Sequence, residues 1–181
     1  TGWSVANGQI DLAIIGGQLP SDLENLLQVI PYATDELALV LPTKHPLAKK
    51  KELRKEDLYK LNFVTLDSQS TTRKVVDKLL KDSGLDIQRL KIEMELNSLE
   101  AIKNAVQSGL GASFLPVVSI ERELAGGSIH KPYLADLEVK RELKLITNPS
   151  RYTSRASEAF KKNVLPQFAC SESPLRQINL I

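Results

Sequence analysis

Short apolar runs of strand-forming residues alternate along this chain with amphipathic helical patterns, and no other feature restricts the fold as strongly. The predicted strands occupy residues 11–15, 36–41, 62–66, 92–96, 112–116 and 142–146. Turn-forming residues follow several of them, for example Gly16, Gly17 and Pro42. Because strands and helices alternate, the sequence predicts an α/β fold in which helices cover buried strands.

Two helical segments carry the clearest periodicity. A polar loop at residues 67–72 leads into the first helix, which is expected to end at Gly84, a left-handed terminator. The second is expected to begin at Asn97, with Glu100 in the capping-box position, and to end near Gly109. Shorter helices are predicted at residues 118–124 and 154–165.

Composition excludes several classes of protein. The 181 residues are 42% hydrophobic and 25% charged, which is ordinary for a globular domain. Every apolar run is far shorter than the roughly 20 residues needed to cross a bilayer. With a net charge of +2 and 5% aromatic residues, the chain has neither the basic surface nor the stacking surface of a nucleic-acid-binding domain. We therefore expect this chain to contact neither membrane nor DNA directly.

The sequence lacks the patterns of catalytic and metal sites. His45 and His130 are the only histidines, and neither has a second ligand at metal-binding spacing. The single cysteine, Cys170, excludes an internal disulfide and is expected to be an inert thiol. Nucleophile elbows, Walker loops and dinucleotide fingerprints are likewise missing. We therefore expect that the chain is not an enzyme and that it binds neither a metal nor a cofactor.

The best candidate for a ligand site is the polar loop before the first long helix. Ser68, Gln69, Ser70 and Thr71 lie between a strand end and a helix start, and Arg73 follows. Free backbone N–H groups and the helix dipole favour a carboxylate or phosphate there, and the guanidinium adds a fixed positive charge. The alternative is that these serines and threonines only cap the helix.

Two further positions are weaker candidates. Asn97 opens the next helix after a strand of parallel type, and open α/β sheets usually bind ligands at such strand ends. Its alternative role is again that of a cap. Gly16 and Gly17 follow the first strand, where small residues either let a ligand approach the backbone or simply form a turn.

Several segments, in their order and spacing, resemble the effector-binding domain of LysR-type transcriptional regulators. They are DLAIIG at residues 11–16, ELALVLP at 36–42, HPLA at 45–48, SLEAIKNAVQSGLG at 98–111 and ASFLP at 112–116. The segments DSQSTTRKVV at 67–76 and KIEMELNS at 91–98 look closest to the branch that regulates the Rubisco operon in cyanobacteria and plastids. The resemblance extends over about residues 3–168.

The resemblance implies a two-lobed, periplasmic-binding-protein-like (type 2) fold with crossing strands and an effector cleft between the lobes. We assign residues 1–60 and 142–181 to the first lobe and residues 61–141 to the second. The boundary is placed at the end of the lysine-rich connection of residues 43–60. The family's opening strand, helix and second strand have no counterpart here, so the first lobe is expected to lack its N-terminal part.

By the same resemblance, the polar loop and two other positions line the effector cleft. The implied cleft residues are Ser68, Gln69, Ser70, Thr71, Asn97, Gly16 and Gly17, and Arg73 would suit an anion. The branch implies an effector of carbon fixation, such as a sugar phosphate, 2-oxoglutarate or a nicotinamide dinucleotide phosphate. It also implies a homodimer or homotetramer in the cytoplasm or plastid stroma, with DNA bound through a domain that this chain lacks.

A second function shares the two-lobed fold and stays open at this point. A periplasmic-type solute-binding protein of a transporter would have the same architecture, and fold does not by itself decide between the two.

Overall fold

The structure, a computed structural model, describes residues 1–169, and the side chains of residues 1–163. Its helices are α1 (Gly2–Ala6), α2 (Ser21–Glu24), α3 (Thr71–Asp82), α4 (Leu99–Gln107), α5 (Glu121–Ala125) and α6 (Arg155–Ala169). Its strands are β1 (Leu12–Ile15), β2 (Gln28–Pro42), β3 (Asn62–Leu66), β4 (Lys91–Leu96), β5 (Ser113–Pro116), β6 (Ile129–His130) and β7 (Lys140–Thr147). The predicted alternation of strands and helices is confirmed.

The chain forms two compact units, and β2 and β7 each run from one unit into the other. The continuous unit is Asp35–Arg141, and the discontinuous unit is Thr1–Thr34 together with the segment that begins at Glu142. The predicted boundaries placed residues 35–60 in the first lobe, whereas here they belong to the continuous unit. The reason is burial: Leu53, Leu58 and Leu61 in this segment lie in the core of that unit.

In the discontinuous unit, β1 and β7 form an antiparallel pair. Leu12 lies opposite Thr147, and Ile15 lies opposite Lys144. Apolar side chains of α1 and α2 pack against this pair. The buried core consists of Val5, Ala6, Leu23, Leu27 and Ile146. Every member is aliphatic, so this core is stabilised by the burial of apolar surface and by close packing.

The start of α6 is held by a carboxylate that precedes β1. Asp11 accepts hydrogen bonds from the Ser154 backbone N–H at 3.1 Å and from the Ser157 hydroxyl at 2.9 Å. Hydrogen bonds from Ser154 and Ser157 lower the pKa of Asp11 below its ordinary value. The carboxylate therefore stays charged at the N-terminal end of α6, where the helix dipole favours a negative charge.

In the continuous unit, an antiparallel and a parallel arrangement coexist. β2 pairs antiparallel with β5, and its end pairs with β6. β3 pairs parallel with β4 so that Leu66 lies opposite Leu96 at the C-terminal ends of both strands. The rings of Phe63 and Phe114 stack with their centroids 6.2 Å apart. The strand ends at Leu66 and Leu96 therefore share one edge, which places the loops that follow them together.

The two long helices of this unit are amphipathic, as their periodicity predicts, but one of them begins elsewhere. Val76 and Leu80 of α3 are buried, and Gly84 has the predicted left-handed conformation, with φ at +83°. Helix α4 begins at Leu99 with Ser98 as its N-cap, so the predicted start at Asn97 with Glu100 in a capping box is wrong. The carboxylate of Glu100 instead pairs with Lys103 at 2.7 Å, since one turn of helix brings these two side chains together.

Two predicted elements differ in extent. β2 begins at Gln28, eight residues before the predicted start at residue 36. Its first part is mostly exposed and contains Pro31, so it lacks the apolar signal on which the prediction relied. The predicted helix of residues 118–124 is divided into a 3-10 turn, Val117–Ser119, and α5. Within residues 1–169, we find no helix long and apolar enough to span a membrane.

Candidate functional site

A tight polar turn connects β3 to α3; we call residues 67–70 the polar turn. The Ser70 backbone N–H donates to the Asp67 carbonyl at 3.0 Å, and the Gln69 N–H donates to the Asp67 carboxylate at 2.9 Å. This carboxylate therefore organises the turn internally. The side chains of Ser68 and Gln69 are exposed, and Ser70 is half-buried.

The N-terminus of α3 lacks a side-chain cap. Ser70 is the N-cap residue, but its hydroxyl makes no capping hydrogen bond, and the first turn contains no acidic residue. The first N–H groups of a helix have no partner inside the helix, so those of Thr71 and the residues after it are available to an acceptor from outside. In α4, by contrast, the Ser98 hydroxyl accepts from the Ala101 N–H at 3.5 Å. The serines of the polar turn are thus not used as an ordinary cap.

Arg73 is largely occupied by acceptors of the protein itself. Its Nε donates to both carboxylate oxygens of Asp77 at 2.8 Å, and one terminal nitrogen donates to the Thr65 hydroxyl and lies 3.4 Å from Glu95. The side chain is 15% exposed. Two carboxylates against one guanidinium leave this spot with a net negative charge, which works against the binding of an anion by Arg73.

Asn97 lies beside the polar turn. The Asp67 N–H donates to the Leu96 carbonyl at 3.0 Å, so the polar turn and the segment that follows β4 start side by side. Asn97 and Ser98 are exposed. The fold therefore brings Ser68, Gln69, Ser70, Thr71 and Asn97 to one edge of the parallel pair, as strand-end geometry predicts. Gly16 and Gly17 follow β1 in the discontinuous unit and are half-buried.

A small cavity lies between α3 and the strands beneath it. Its polar lining residues are Thr65, Thr72, Arg73, Asp77 and Ser113, and the remainder is apolar. Its volume is about 30 Å³, which accommodates a water molecule but not a sugar phosphate. A ligand of that size could enter this cavity only by displacing side chains.

Sequence reasoning missed a buried ion pair next to α3. The carboxylate of Asp35 on β2 accepts a hydrogen bond from Nε of Arg141 at 2.8 Å. It also forms an ion pair with Nη2 of the same arginine at 2.7 Å. Another nitrogen of Arg141 donates to the Thr72 hydroxyl at 2.8 Å. The partners are separated by 106 and 69 residues along the chain, so local sequence patterns carried no signal of these contacts.

The histidines have structural roles. Nδ1 of His45 accepts the Leu47 N–H at 3.2 Å and thereby caps a 3-10 helix, Pro46–Lys49. His130 lies in β6 opposite Leu41. Across the described part of the chain, no group of three or more histidine, cysteine or acidic residues is arranged to hold a metal ion. Cys170 lies outside the described residues.

Two α/β units linked by two crossing strands, with a polar turn at the end of a parallel pair, define an effector-binding domain of the periplasmic-binding-protein-like (type 2) class. The chain belongs to the LysR substrate binding domain family, whose model matches residues 3–169. The family predicted from the sequence is confirmed. That family consists of effector domains of transcriptional regulators.

The relatives also confirm the predicted branch. The chain is 59% identical over 169 residues to the "Probable RuBisCO transcriptional regulator" of Synechocystis sp., a match that covers 93% of this chain and 49% of the relative. It is 60% identical over 169 residues to the protein of the same name from Trichormus variabilis, covering 93% and 50%. For Porphyra purpurea the identity is 57% over 166 residues, covering 92% and 52%. The chain thus spans about half the length of the curated relatives that it matches.

Solved structures share the fold. The CcmR regulatory domain of Synechocystis PCC6803 in complex with 2-PG matches with a TM-score of 0.77 and 24% identity, covering 91% of this chain and 76% of that one. The effector-binding domain of QuiR in complex with shikimate matches with a TM-score of 0.75 and 24% identity, covering 91% and 74%. At this level of identity, the likeness is one of fold.

Proposed function

We propose that this chain is the effector-sensing domain of a LysR-type, DNA-binding transcriptional regulator that controls carbon-fixation genes in response to an anionic metabolite. The observation that carries the proposal is the identity of 57–60% over more than nine-tenths of the chain to proteins named as RuBisCO transcriptional regulators. The same relatives argue against the transporter solute-binding protein, the alternative that shares this fold. The role is one of binding rather than catalysis.

The proposed effector site is built around the polar turn. The unbonded N–H groups at the start of α3 and the hydroxyl and amide groups of Ser68, Gln69, Ser70 and Thr71 suit an acidic group. Asn97 borders the same edge. Gly16 and Gly17 are kept as proposed effector contacts on the strength of the family resemblance alone. Arg73 has a smaller role than expected from sequence, because binding an effector would require it to leave Glu95 or Asp77.

The class of effector follows from this chemistry. A helix N-terminus without an acidic residue favours a phosphate or carboxylate. The resemblance to the Rubisco-operon branch implies an effector of carbon fixation, so we propose a sugar phosphate, 2-oxoglutarate or an NADPH-like dinucleotide. CcmR and QuiR are seen with 2-PG and with shikimate, which supports a small-molecule effector for this fold.

The remaining features of the whole protein are proposed from the family. DNA is bound through a segment outside this chain, by a homodimer or homotetramer, in the cytoplasm or the plastid stroma. We also propose that the two compact units correspond to the two lobes of the family.

A thermal-shift panel tests the proposal. We expect one of 2-PG, a sugar phosphate, 2-oxoglutarate and NADPH, at about a hundred times its Kd, to raise the melting temperature of the chain by about 5–10 °C. Ser70→Phe and Thr71→Phe should abolish that shift because the aromatic rings cover the free N–H groups.

The matched control is Thr43→Phe, an exposed threonine in the connection after β2, which should keep the shift. If wild-type protein shows no shift with any compound of the panel, the proposed function is wrong.

A further inference from the structure

Arg141 joins three separate parts of the continuous unit. Its Nε donates a hydrogen bond to the Asp35 carboxylate at 2.8 Å, and its Nη2 forms an ion pair with the same carboxylate at 2.7 Å. Its Nη1 donates to the Thr72 hydroxyl at 2.8 Å. The side chains of Arg141 and Asp35 are only 14% and 8% exposed. A buried arginine and carboxylate need such partners, because an unpaired charge in the interior is strongly unfavourable. The three residues therefore form one fixed hydrogen-bonded group.

This group lies where the chain passes between the units. Asp35 is the first residue of the continuous unit and Arg141 is its last. Leu37, two residues after Asp35, donates its N–H at 2.8 Å to the carbonyl of Val139, two residues before Arg141. The two passing segments therefore run side by side. Asp35 and Arg141 are thus a cross-strand pair at the base of both segments.

The third member belongs to the first turn of α3. Thr72 is the second residue of the helix, directly after Thr71 and two residues after Ser70. An arginine has only donors, so the Thr72 hydroxyl must be the acceptor and its own hydrogen is directed elsewhere. The bond from Arg141 therefore ties the first turn of α3 to the passing strands, while Arg73 of the same turn is bonded to β3 and β4.

We propose that Arg141 is a positioning residue for the effector site: held by Asp35, it fixes Thr72 and thereby couples the polar turn to the two segments that connect the units. The inference rests on the proposed function and adds how an effector at the turn would influence the rest of the domain. Binding at the turn and the geometry of the passing strands then depend on each other, as linkage requires of any two coupled sites.

The test is a comparison of Thr72→Val with Thr72→Ser in the 181-residue chain. Valine keeps the shape of the side chain and removes the acceptor, whereas serine retains the hydroxyl. Calorimetric titration with 2-PG, 2-oxoglutarate and NADPH gives the affinity. We expect Thr72→Ser to bind within about twofold of wild type. Thr72→Val should bind about tenfold more weakly, which lies within the range of roughly 5–150-fold that is typical of coupling between two sites.

A second variant and a second readout separate positioning from stability. Arg141→Lys retains the positive charge opposite Asp35 but cannot reach both partners with a single ammonium, so it should weaken binding as Thr72→Val does. Hydrogen exchange without ligand at the amide of Lys74, which donates to the Ser70 carbonyl, and at the amides of the next helical turn should be faster in Thr72→Val than in Thr72→Ser. A purely structural role would lower the melting temperature of Thr72→Val and leave the affinity of the folded protein unchanged.

The outcomes are distinct. Binding by wild type and equally strong binding by Thr72→Val overturn the coupling through Arg141 but leave the proposed function intact. If wild type binds none of the three compounds and no sugar phosphate of the thermal-shift panel, the proposed function fails and this inference fails with it. If Arg141→Lys does not fold, the valine and serine variants still decide the question.

Discussion

At the residue scale, the close approach of another backbone segment explains why residue 111 is glycine. The periodic pattern of the sequence did not explain it. A Cβ atom built on Gly111 would lie 2.7 Å from the Asn62 carbonyl oxygen. That carbonyl accepts the Ala112 N–H at 2.7 Å, so the chain before β5 is held against β3 by its backbone. Gly109, two residues earlier, has φ at +87° but open space around it. The two glycines are thus required for different reasons.

Replacement of each glycine by alanine should reveal that difference. Gly111→Ala forces backbone to move and should lower the free energy of unfolding by about 2–4 kcal/mol. Gly109→Ala meets only the cost of a left-handed conformation and should lower it by about 1 kcal/mol. Urea denaturation of both variants measures the two values. Equal losses would mean that the contact with Asn62 is relieved without strain.

At the element scale, α3 and α4 begin in different ways although serine precedes both. Ser98 caps α4 through its hydroxyl, while Ser70 leaves the first turn of α3 without a side-chain partner. An uncapped helix start costs stability, typically about 1 kcal/mol relative to a capped one. We infer that α3 forgoes this stabilisation because its N–H groups are kept for a ligand.

Ser70→Asp should separate stability from binding. The carboxylate would cap α3 and interact favourably with its dipole, so the free energy of unfolding should rise by about 0.5–1 kcal/mol. The same negative charge should repel an anionic effector and weaken its binding about tenfold or more. Thermal melting and calorimetric titration of one protein preparation give both values.

The control is alanine in place of the serine that precedes each of the two helices. Ser70→Ala should change stability little, because no capping bond is lost, whereas Ser98→Ala should cost about 0.5–1 kcal/mol. Tighter effector binding in Ser70→Asp would refute an anionic ligand at this turn.

At the scale of the whole molecule, several carboxylates are stabilised in their charged form by folding. Asp57 is the clearest case: Lys60 at 2.7 Å, the Arg54 N–H and Lys50 hold its pKa at about 2, against an ordinary value of 3.8. Contacts with Lys103 also lower the pKa of Glu123. A carboxylate with a depressed folded pKa stabilises the native state above its unfolded pKa and loses that effect as pH falls through the folded one.

The stability of the chain should therefore decrease on acidification, and Asp57 should account for part of the decrease. Because its lysine partners are 48% and 65% exposed, we expect Asp57→Asn to cost about 1–2 kcal/mol at pH 7. Most of this difference should disappear between pH 4 and pH 2, the window between the unfolded and folded pKa of Asp57. Urea denaturation across this range is the measurement, and a difference that persists at pH 2 would show that charge is not the cause.

The sequence by itself determined the class of fold, the buried faces of the helices and the family. Val76 and Leu80 follow helical spacing, and the left-handed stop at Gly84 depends on backbone conformation alone, so both could be predicted. The polar turn was also predictable, because a strand end followed by serines and threonines is a local pattern. The order and spacing of the family segments predicted the same architecture, and the family model that matches residues 3–169 confirms the family.

Only the tertiary structure decided which polar groups meet. The guanidinium of Arg73 could bind an anion, but β4 places Glu95, 22 residues away in the sequence, next to it. Arg141 carried no signal at all, since its partners Asp35 and Thr72 lie on other elements, 106 and 69 residues distant. Periodicity reports which side of an element is buried, whereas the partner of a buried charge depends on how the strands are ordered. That ordering sets both the boundary between the units and the surroundings of the polar turn.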